Sequence, residues 1–363
     1  MKILVINSGS SSIKSQLINS QTQEVLFSHI FEEISSHSDA LNELFLKIDL
    51  EHIDAFAHRV VHGGSIFYKS VLINDEVLEK LDQIEYLAPL HNPHNTIAIK
   101  ILKQMFPLKK QIAVFDTAFH HTMEQKAYMY ALPYELYEDE QIRKYGFHGS
   151  SHAFLLQQSV KLLNKSIKDT NIITLHLGNG CSACAIKNGK SIDTTMGFTP
   201  LEGLVMGTRC GDIDASIVLY LQEKLNMSSK EISTLLNKQS GLKGICKYSD
   251  MRQIIKLSQD GDNLATLALE MFIYKIIKTI GAYWIILGKL DAIVFSGGIG
   301  QYSSIVRQKI CDGIKEVMQL SINEKANNQN KRFINSIESK INLFVIPTNE
   351  ELYIALEAKS LLT

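Results

Sequence analysis

Two stretches of this chain share one design, and that echo constrains its fold more than any other feature. Residues 4–19, LVINSGSSSIKSQLIN, and 173–188, ITLHLGNGCSACAIKN, each read as an apolar strand, a turn of small residues and a second strand. Each is followed by strands alternating with helices, so each hairpin opens its own α/β half. A duplicated domain with a cleft between its halves has this pattern, although two unrelated hairpins would share it. The chain has 363 residues, 45% of them hydrophobic, enough to bury a large core in two domains.

Further elements follow from periodicity. EVLFSHIFEEI predicts a third strand, and NDEVLEKLDQIEYLA a helix with Asn74 as cap and Pro89 as stop. QIAVFDT predicts a strand, and a helix is expected after GFHGSSH, capped by Ser150 or Ser151 and running to about Asn164. Ser228 and Glu231 fit a capping box. LATLALEMFIYKIIKTIGAYWIILGKL reads as a long buried helix, DAIVFS as a strand ending in GGIG, and NEELYIALEAKSLL as a terminal helix.

Charge and cysteine usage exclude several classes. The formal net charge is −1 with both signs interspersed, so no basic face for nucleic acid is expected. Glu270, Lys275 and Lys278 interrupt the most apolar stretch, which argues against a membrane span. ILVI is too short for the apolar core of a secretion signal, and five sparse cysteines suggest a reducing compartment; a cytoplasmic protein is expected. Cys181 and Cys184 have CxxC spacing, but they lie in alternating strand sequence without a second pair, so they read as strand residues.

Three loops could hold phosphate. SGSSSIKS resembles a Walker loop without its second glycine, and the residues after Lys14 alternate like a strand rather than starting a helix. Asn7 to Ser12 and Leu177 to Gly180 are built of small residues that let backbone N–H groups approach an anion. In Ser296 to Gly300 a buried strand feeds glycines and then a helix. Three such loops at strand ends favour a nucleotide cleft. Lys14 is either a solvated strand lysine or a cation reaching back to phosphate.

Of twelve histidines, nine cluster in AHRVVHGG, PLHNPHN, FHHTM, GFHGSSH and LHLGNG. His148 and His152 are four apart and could share a metal, but neither HExxH nor paired CxxC motifs support zinc, and no G-x-S-x-G elbow supports a serine hydrolase. Arg59 and Arg209 sit among glycines and apolar residues, where an arginine needs a carboxylate or phosphate partner. That partner could equally make a structural salt bridge. Asp116 ends an apolar strand, a common place for a functional carboxylate. Glu350 begins a helix, where its bland role is at the N-terminus.

Taken together, VINSGSSSIK, HRVVHGG, LAPLHNP, VFDTAFH, YALPYELY, RKYGFHGSSH, HLGNG, TTMGFTPLEGLVMGTRCGDID, SGGIG and VIPTNEE resemble the acetate kinase family in order and near-family spacing, almost end to end. The resemblance implies two ribonuclease-H-like α/β domains of the acetate and sugar kinase, heat-shock chaperone and actin superfamily, divided as 1–149 plus about 350–363 and 150–349. It implies reversible transfer of the ATP γ-phosphoryl to acetate with Mg²⁺, for which Mn²⁺ can substitute. Acetyl phosphate and ADP are the products. A homodimer and metabolic coupling to a phosphate acetyltransferase are implied as well, with propionate kinase the near alternative and an actin- or chaperone-like ATPase a remote one.

By the same transfer Arg59 orients acetate, Arg209 bridges acetate and the moving phosphoryl, His148 donates to the equatorial oxygens, and Asp116 sits beside acetate and helps place the metal. Asn7 and Glu350 position Mg²⁺, and Lys14 contacts phosphates. Val61, Leu90, Phe147 and Pro200 match the methyl pocket, with His91 and His152 in support. His176, Leu177, Gly178, Asn179 and Gly180, then Asp250, Met251 and Arg252, then Gly297, Gly298, Ile299, Gly300 and Gln301 match the ATP site. The chain departs from the family in length, with the shortfall around 20–50 and 255–265. It also departs at Gln301, where Glu is usual, and at Cys181 and Cys210, where small polar residues are common. A thiol beside Arg209 is expected to be oxidation-sensitive only if its pKa is lowered.

Overall fold

Alternation in the opening hairpin sets how it lies. β1 (Lys2–Ser8) pairs antiparallel with β2 (Ser12–Asn19), whose Ile13, Ser15 and Leu17 are buried while Ser12, Lys14 and Gln16 share the opposite, partly exposed face. The computed structural model describes residues 1–9, 12–48, 52–89 and 91–363. β3 (Glu24–Glu32) extends the meander, and β4 (Ala55–Val60) and β6 (Lys110–Phe115) add in parallel on the far side of β1. With the short edge strand β5 (Val71–Leu72), the order is β3-β2-β1-β4-β6-β5.

The second sheet repeats the plan. β7 (Ile172–Leu177), β8 (Cys181–Lys187) and β9 (Lys190–Thr194) form a meander, and β10 (Ala292–Ser296) and β11 (Asn342–Val345) add in parallel beside β7. Its order, β9-β8-β7-β10-β11, matches β3-β2-β1-β4-β6 strand for strand. The sequence echo is thus a duplication of topology, and the two α/β sheets match the actin-like fold.

Two helices, Gly149–Leu163 and Glu350–Leu362, bind the halves together. Their Phe154, Leu155, Ile354 and Ala355 share one core with Ile3 and Val114 of the first sheet and Ile172, Val294 and Phe344 of the second. The outer face of the second sheet is covered by the 25-residue helix Asn263–Leu287 through Phe272, Ile276 and Ile280. Contrary to expectation this helix is not buried all round, since Leu264, Leu267, Met271, Tyr274 and Ile285 are exposed.

Asn74 caps its helix, and the Ser228–Glu231 capping box closes from both sides. The cap expected at Ser150 or Ser151 does not form. His148 takes the cap position in the left-handed region at φ 55, which starts the helix at Gly149 and sets both serines inside its first turn. GGIG likewise is helical, as the start of Gly297–Tyr302. No helix among the described residues is long and apolar enough to cross a membrane.

Candidate active site

In parallel sheets ligands gather beyond the carboxyl ends of the strands, and the singled-out residues collect there. Arg59 and Asp116 lie at the ends of adjacent β4 and β6. The guanidinium meets the carboxylate as a fork, Nε to Oδ1 at 3.0 Å and Nη2 to Oδ2 at 2.5 Å. Its Nη1 donates to Asn7 Oδ1 at 3.3 Å, and Nε lies 3.7 Å from Glu350. Burial opposes the charge on Arg59, but Asp116 and Glu350 outweigh it and raise the pKa. Glu350, at the start of the terminal helix, is pushed up to about 7 by burial and by the charges of Asp116 and Glu351, with Arg59 and Lys14 only partly offsetting them. Lys14, paired across the hairpin with Asn7, places its ammonium 2.5 Å from Glu351. Its partner here is therefore a carboxylate.

Facing this cluster are His148, at the cap of the helix Gly149–Leu163, and His176 and Arg209 from the second half. The rings of His148 and His176 stack with centroids 4.2 Å apart. Burial, then the neighbouring histidines and arginines, hold His148 well below the usual histidine pKa, and burial with Arg59 takes His176 to about 4. Both are neutral hydrogen-bonding groups at physiological pH. His148 Nδ1 meets Ser182 Oγ at 2.9 Å, and His176 Nδ1 meets Ser151 Oγ at 2.8 Å. Arg209 donates to the Pro200 carbonyl at 2.9 Å and has no carboxylate partner among the described residues. Burial, with Arg59 nearby, lowers its pKa. A Cβ placed on Gly180 would lie 3.4 Å from both Arg209 Nη2 and His148 Cε1, so these side chains converge over that glycine.

The small-substrate residues lie on the same wall. Val61 and Phe147 are buried in one apolar cluster, and His91 feels both Arg59 and Arg209, which with burial lower its pKa. Leu90 lies outside the described residues. The backbone at Val61 and His62 is held by Asn95 and Asn92, whose Oδ1 atoms each accept an N–H at 3.1 Å. These asparagines, three residues apart on one helix, are the working part of PLHNPHN, where the histidines draw the eye.

A cavity of about 670 Å³ adjoins Gly178 and Asn179, within the range of small-ligand sites. Asp250, Met251 and Arg252 line one side, and Gly298 and Ile299 another. Arg252 is exposed and folds onto Asp250 at 2.6 Å. Leu177, Gly297, Gly300 and Gln301 stand behind this wall. Gly297, at φ 73, is where a Cβ would strike the Leu177 backbone, so glycine lets β7 and the helix Gly297–Tyr302 approach. Behind them Arg307, fully buried and unmarked in sequence reading, donates to the carbonyls of Gly300 and Gln301 at 2.9 and 2.8 Å.

The cysteines are free. Burial raises Cys210 and pushes Cys181 up to about 12, so neither is the lowered-pKa thiol that oxidation beside Arg209 would require.

The acetokinase family model matches residues 2–49 and 35–356. A Campylobacter jejuni protein named acetate kinase is 46% identical over 387 residues, covering 98% of this chain and 98% of its own. Among solved structures, a propionate kinase from Francisella tularensis is 45% identical with TM-score 0.93 over 98% of each chain. The acetate kinase of Porphyromonas gingivalis is 37% identical with TM-score 0.94 over 100% of each.

Proposed function

The chain belongs to the acetokinase family, and we propose that it transfers the γ-phosphoryl group of ATP to acetate, reversibly, giving acetyl phosphate and ADP. One observation carries this reading furthest. Arg59 is matched to Asp116, whereas Arg209, also desolvated, has no acid partner among the described residues and lies beside the neutral donor His148. That arrangement suits two anions that must meet. A carboxylate oxygen of acetate forms a bond to the γ-phosphorus while the bond to the bridging oxygen breaks and its electron pair leaves with ADP. Acetate is already deprotonated, so alignment and positive charge do the work in place of a base.

In this reading Arg59, held by Asp116, orients acetate, and Arg209 spans acetate and the moving phosphoryl. His148 donates to its equatorial oxygens, with His176 behind it. Val61, Phe147 and Pro200 enclose the methyl group, and the 670 Å³ cavity takes the nucleoside. Lys14 serves the phosphates only by leaving Glu351.

Magnesium fits the donor set. Asn7, Asp116 and Glu350 offer oxygen ligands, as a hard cation prefers, and Glu350, buried beside Asp116 and Glu351, stands in a cluster with more carboxylates than nearby cations offset. When bound, the ion neutralises phosphate charge.

Residues 1–149 with about 350–363 and residues 150–349 are the units that close on substrate. The exposed apolar side chains of the helices Ser216–Leu225 and Asn263–Leu287 support a homodimer. A cytoplasmic location suits the substrates, with phosphate acetyltransferase as the metabolic neighbour. Propionate is the second reading, because the Francisella relative bears that name at 45% identity. One methylene in an apolar pocket separates substrates by only about 1–3 kcal/mol. Trapping acyl phosphate with hydroxylamine, using ATP, Mg²⁺ and acetate, propionate or butyrate, tests both. Acetate is expected to give the highest kcat/KM. Hydroxamate from none of the acids would sink the kinase reading, and propionate leading would replace acetate.

A further inference from the structure

A neutral imidazole has one N–H, and His148 can donate to a phosphoryl oxygen only if that hydrogen is on Nε2, the nitrogen that meets no protein group among the described residues. We propose that a buried relay running from Thr174 through His152 and Ser182 to His148 fixes this tautomer, which makes the first three positioning residues for the transfer. The relay's consequence for rate rests on the proposed function, while the tautomer does not.

The fold builds the relay simply. His152 lies in the first turn of the helix Gly149–Leu163 and His148 at its cap, and both rings reach Ser182 Oγ. Beneath them β7 and β8 run antiparallel, with His176 opposite Ser182 and Thr174 opposite Cys184. His152 Nδ1 meets Thr174 Oγ1 at 2.7 Å, His152 Nε2 meets Ser182 Oγ at 2.8 Å, and Ser182 Oγ meets His148 Nδ1 at 2.9 Å. Thr174, His152 and Ser182 are completely buried, so water cannot complete any bond they leave open.

Only two directions are consistent with one hydrogen on each group. In the first, the Thr174 hydroxyl donates to His152 Nδ1, His152 Nε2–H donates to Ser182, and the Ser182 hydroxyl donates to His148 Nδ1. Every hydrogen within the relay then has an acceptor, and the His148 N–H falls on Nε2. In the second, His148 Nδ1–H donates to Ser182, Ser182 to His152 Nε2, and His152 Nδ1–H to Thr174. The Thr174 hydrogen is then stranded, since that hydroxyl has no other partner among the described residues. A buried unpaired donor bears its full desolvation penalty. The second direction also turns a lone pair of His148 toward an anionic substrate. The stranded Thr174 hydroxyl by itself selects the first, the substrate's charge only agrees with it, and burial keeps both rings neutral so that no extra proton blurs the choice.

The test reads the tautomer directly, by two-bond ¹H–¹⁵N correlation on protein labelled in its histidines, without substrate. His148 is expected as Nε2–H in the native chain and as a mixture in Ser182→Ala and in the near-isosteric Thr174→Val. Each variant is expected to lose on the order of tenfold in kcat, a fraction of the loss on deleting a preorganised donor, with KM values nearly unchanged and Ser182→Thr restoring rate. In a His148→Ala background neither change is expected to lower kcat further. An Nδ1–H tautomer in the native chain, a tautomer unmoved in both variants, or equal losses of kcat with and without His148 would overturn the relay. If no acid is phosphorylated while the tautomer shifts as expected, the relay stands and the proposed function falls.

Discussion

Two arginines in one site do opposite jobs for stability, and that difference can be measured. Arg59 neutralises buried Asp116 and lies near Glu350. Arg59→Ala strands buried carboxylate charge, so a loss of about 3–5 kcal/mol in stability is expected together with lost activity. Arg209 is desolvated with no acid partner among the described residues. Arg209→Ala is expected to leave Tm unchanged or raised while kcat falls on the order of 10²–10³-fold, the usual cost of one preorganised electrostatic donor. Thermal melts and steady-state kinetics on the pair decide it. A parallel loss of Tm in both variants would refute the distinction. Both arginines were legible in the sequence because a guanidinium among apolar residues demands an anion. Ser182, Glu351 and Arg307 were not, because a serine in an apolar strand, a glutamate opening a helix and an arginine in an amphipathic helix look ordinary until their neighbours are known.

Elements show the same division between pattern and contact. Strand alternation and capping motifs are local, so the two hairpins, Asn74 and the Ser228–Glu231 box could be read directly. The start of the helix Gly149–Leu163 could not, because tertiary contact sets it: the Gly149 N–H donates to the Asp116 carbonyl at 2.9 Å, and a Cβ there would collide with that oxygen. Gly149→Ala is therefore expected to push His148 and Asp116 apart, with a stability loss of about 1–3 kcal/mol and a larger fall in kcat than in substrate affinity. At Gly281, inside the helix Asn263–Leu287, an added Cβ would meet nothing within 4 Å. Gly281→Ala should do the reverse, raising stability by about 0.5–1 kcal/mol through helix propensity, with activity untouched. Denaturant titrations of both variants check the opposed signs, and destabilisation by Gly281→Ala would mean that the helix face there is already occupied.

At the scale of the molecule, closing two sheets on shared helices buries histidines that were visible in sequence only as clusters. Burial takes His58, His120 and His176 to about 4 and His62 to about 3, and holds His148 and His152 well below the usual value. In the unfolded chain all six titrate near 6.5. Between that value and the folded ones the unfolded chain binds more protons, so stability falls as pH falls through the window, by up to about 1.4 kcal/mol per pH unit for each histidine. Above 6.5 all are neutral in both states and the contribution is constant. Glu350 has the opposite sign, since a carboxyl raised to about 7 favours the folded state as pH falls from there toward its unfolded value. The lowered histidines, His91 among them, outnumber the raised carboxyls Glu350 and Asp193, so the histidines set the slope. Urea unfolding at pH 7, 6 and 5 should show a midpoint that drops steeply below pH 6.5, with several protons taken up on unfolding at pH 5. A midpoint level from pH 7 to 5 would show that these rings are reached by water, and would remove the neutral, donating His148 on which the proposed transfer depends.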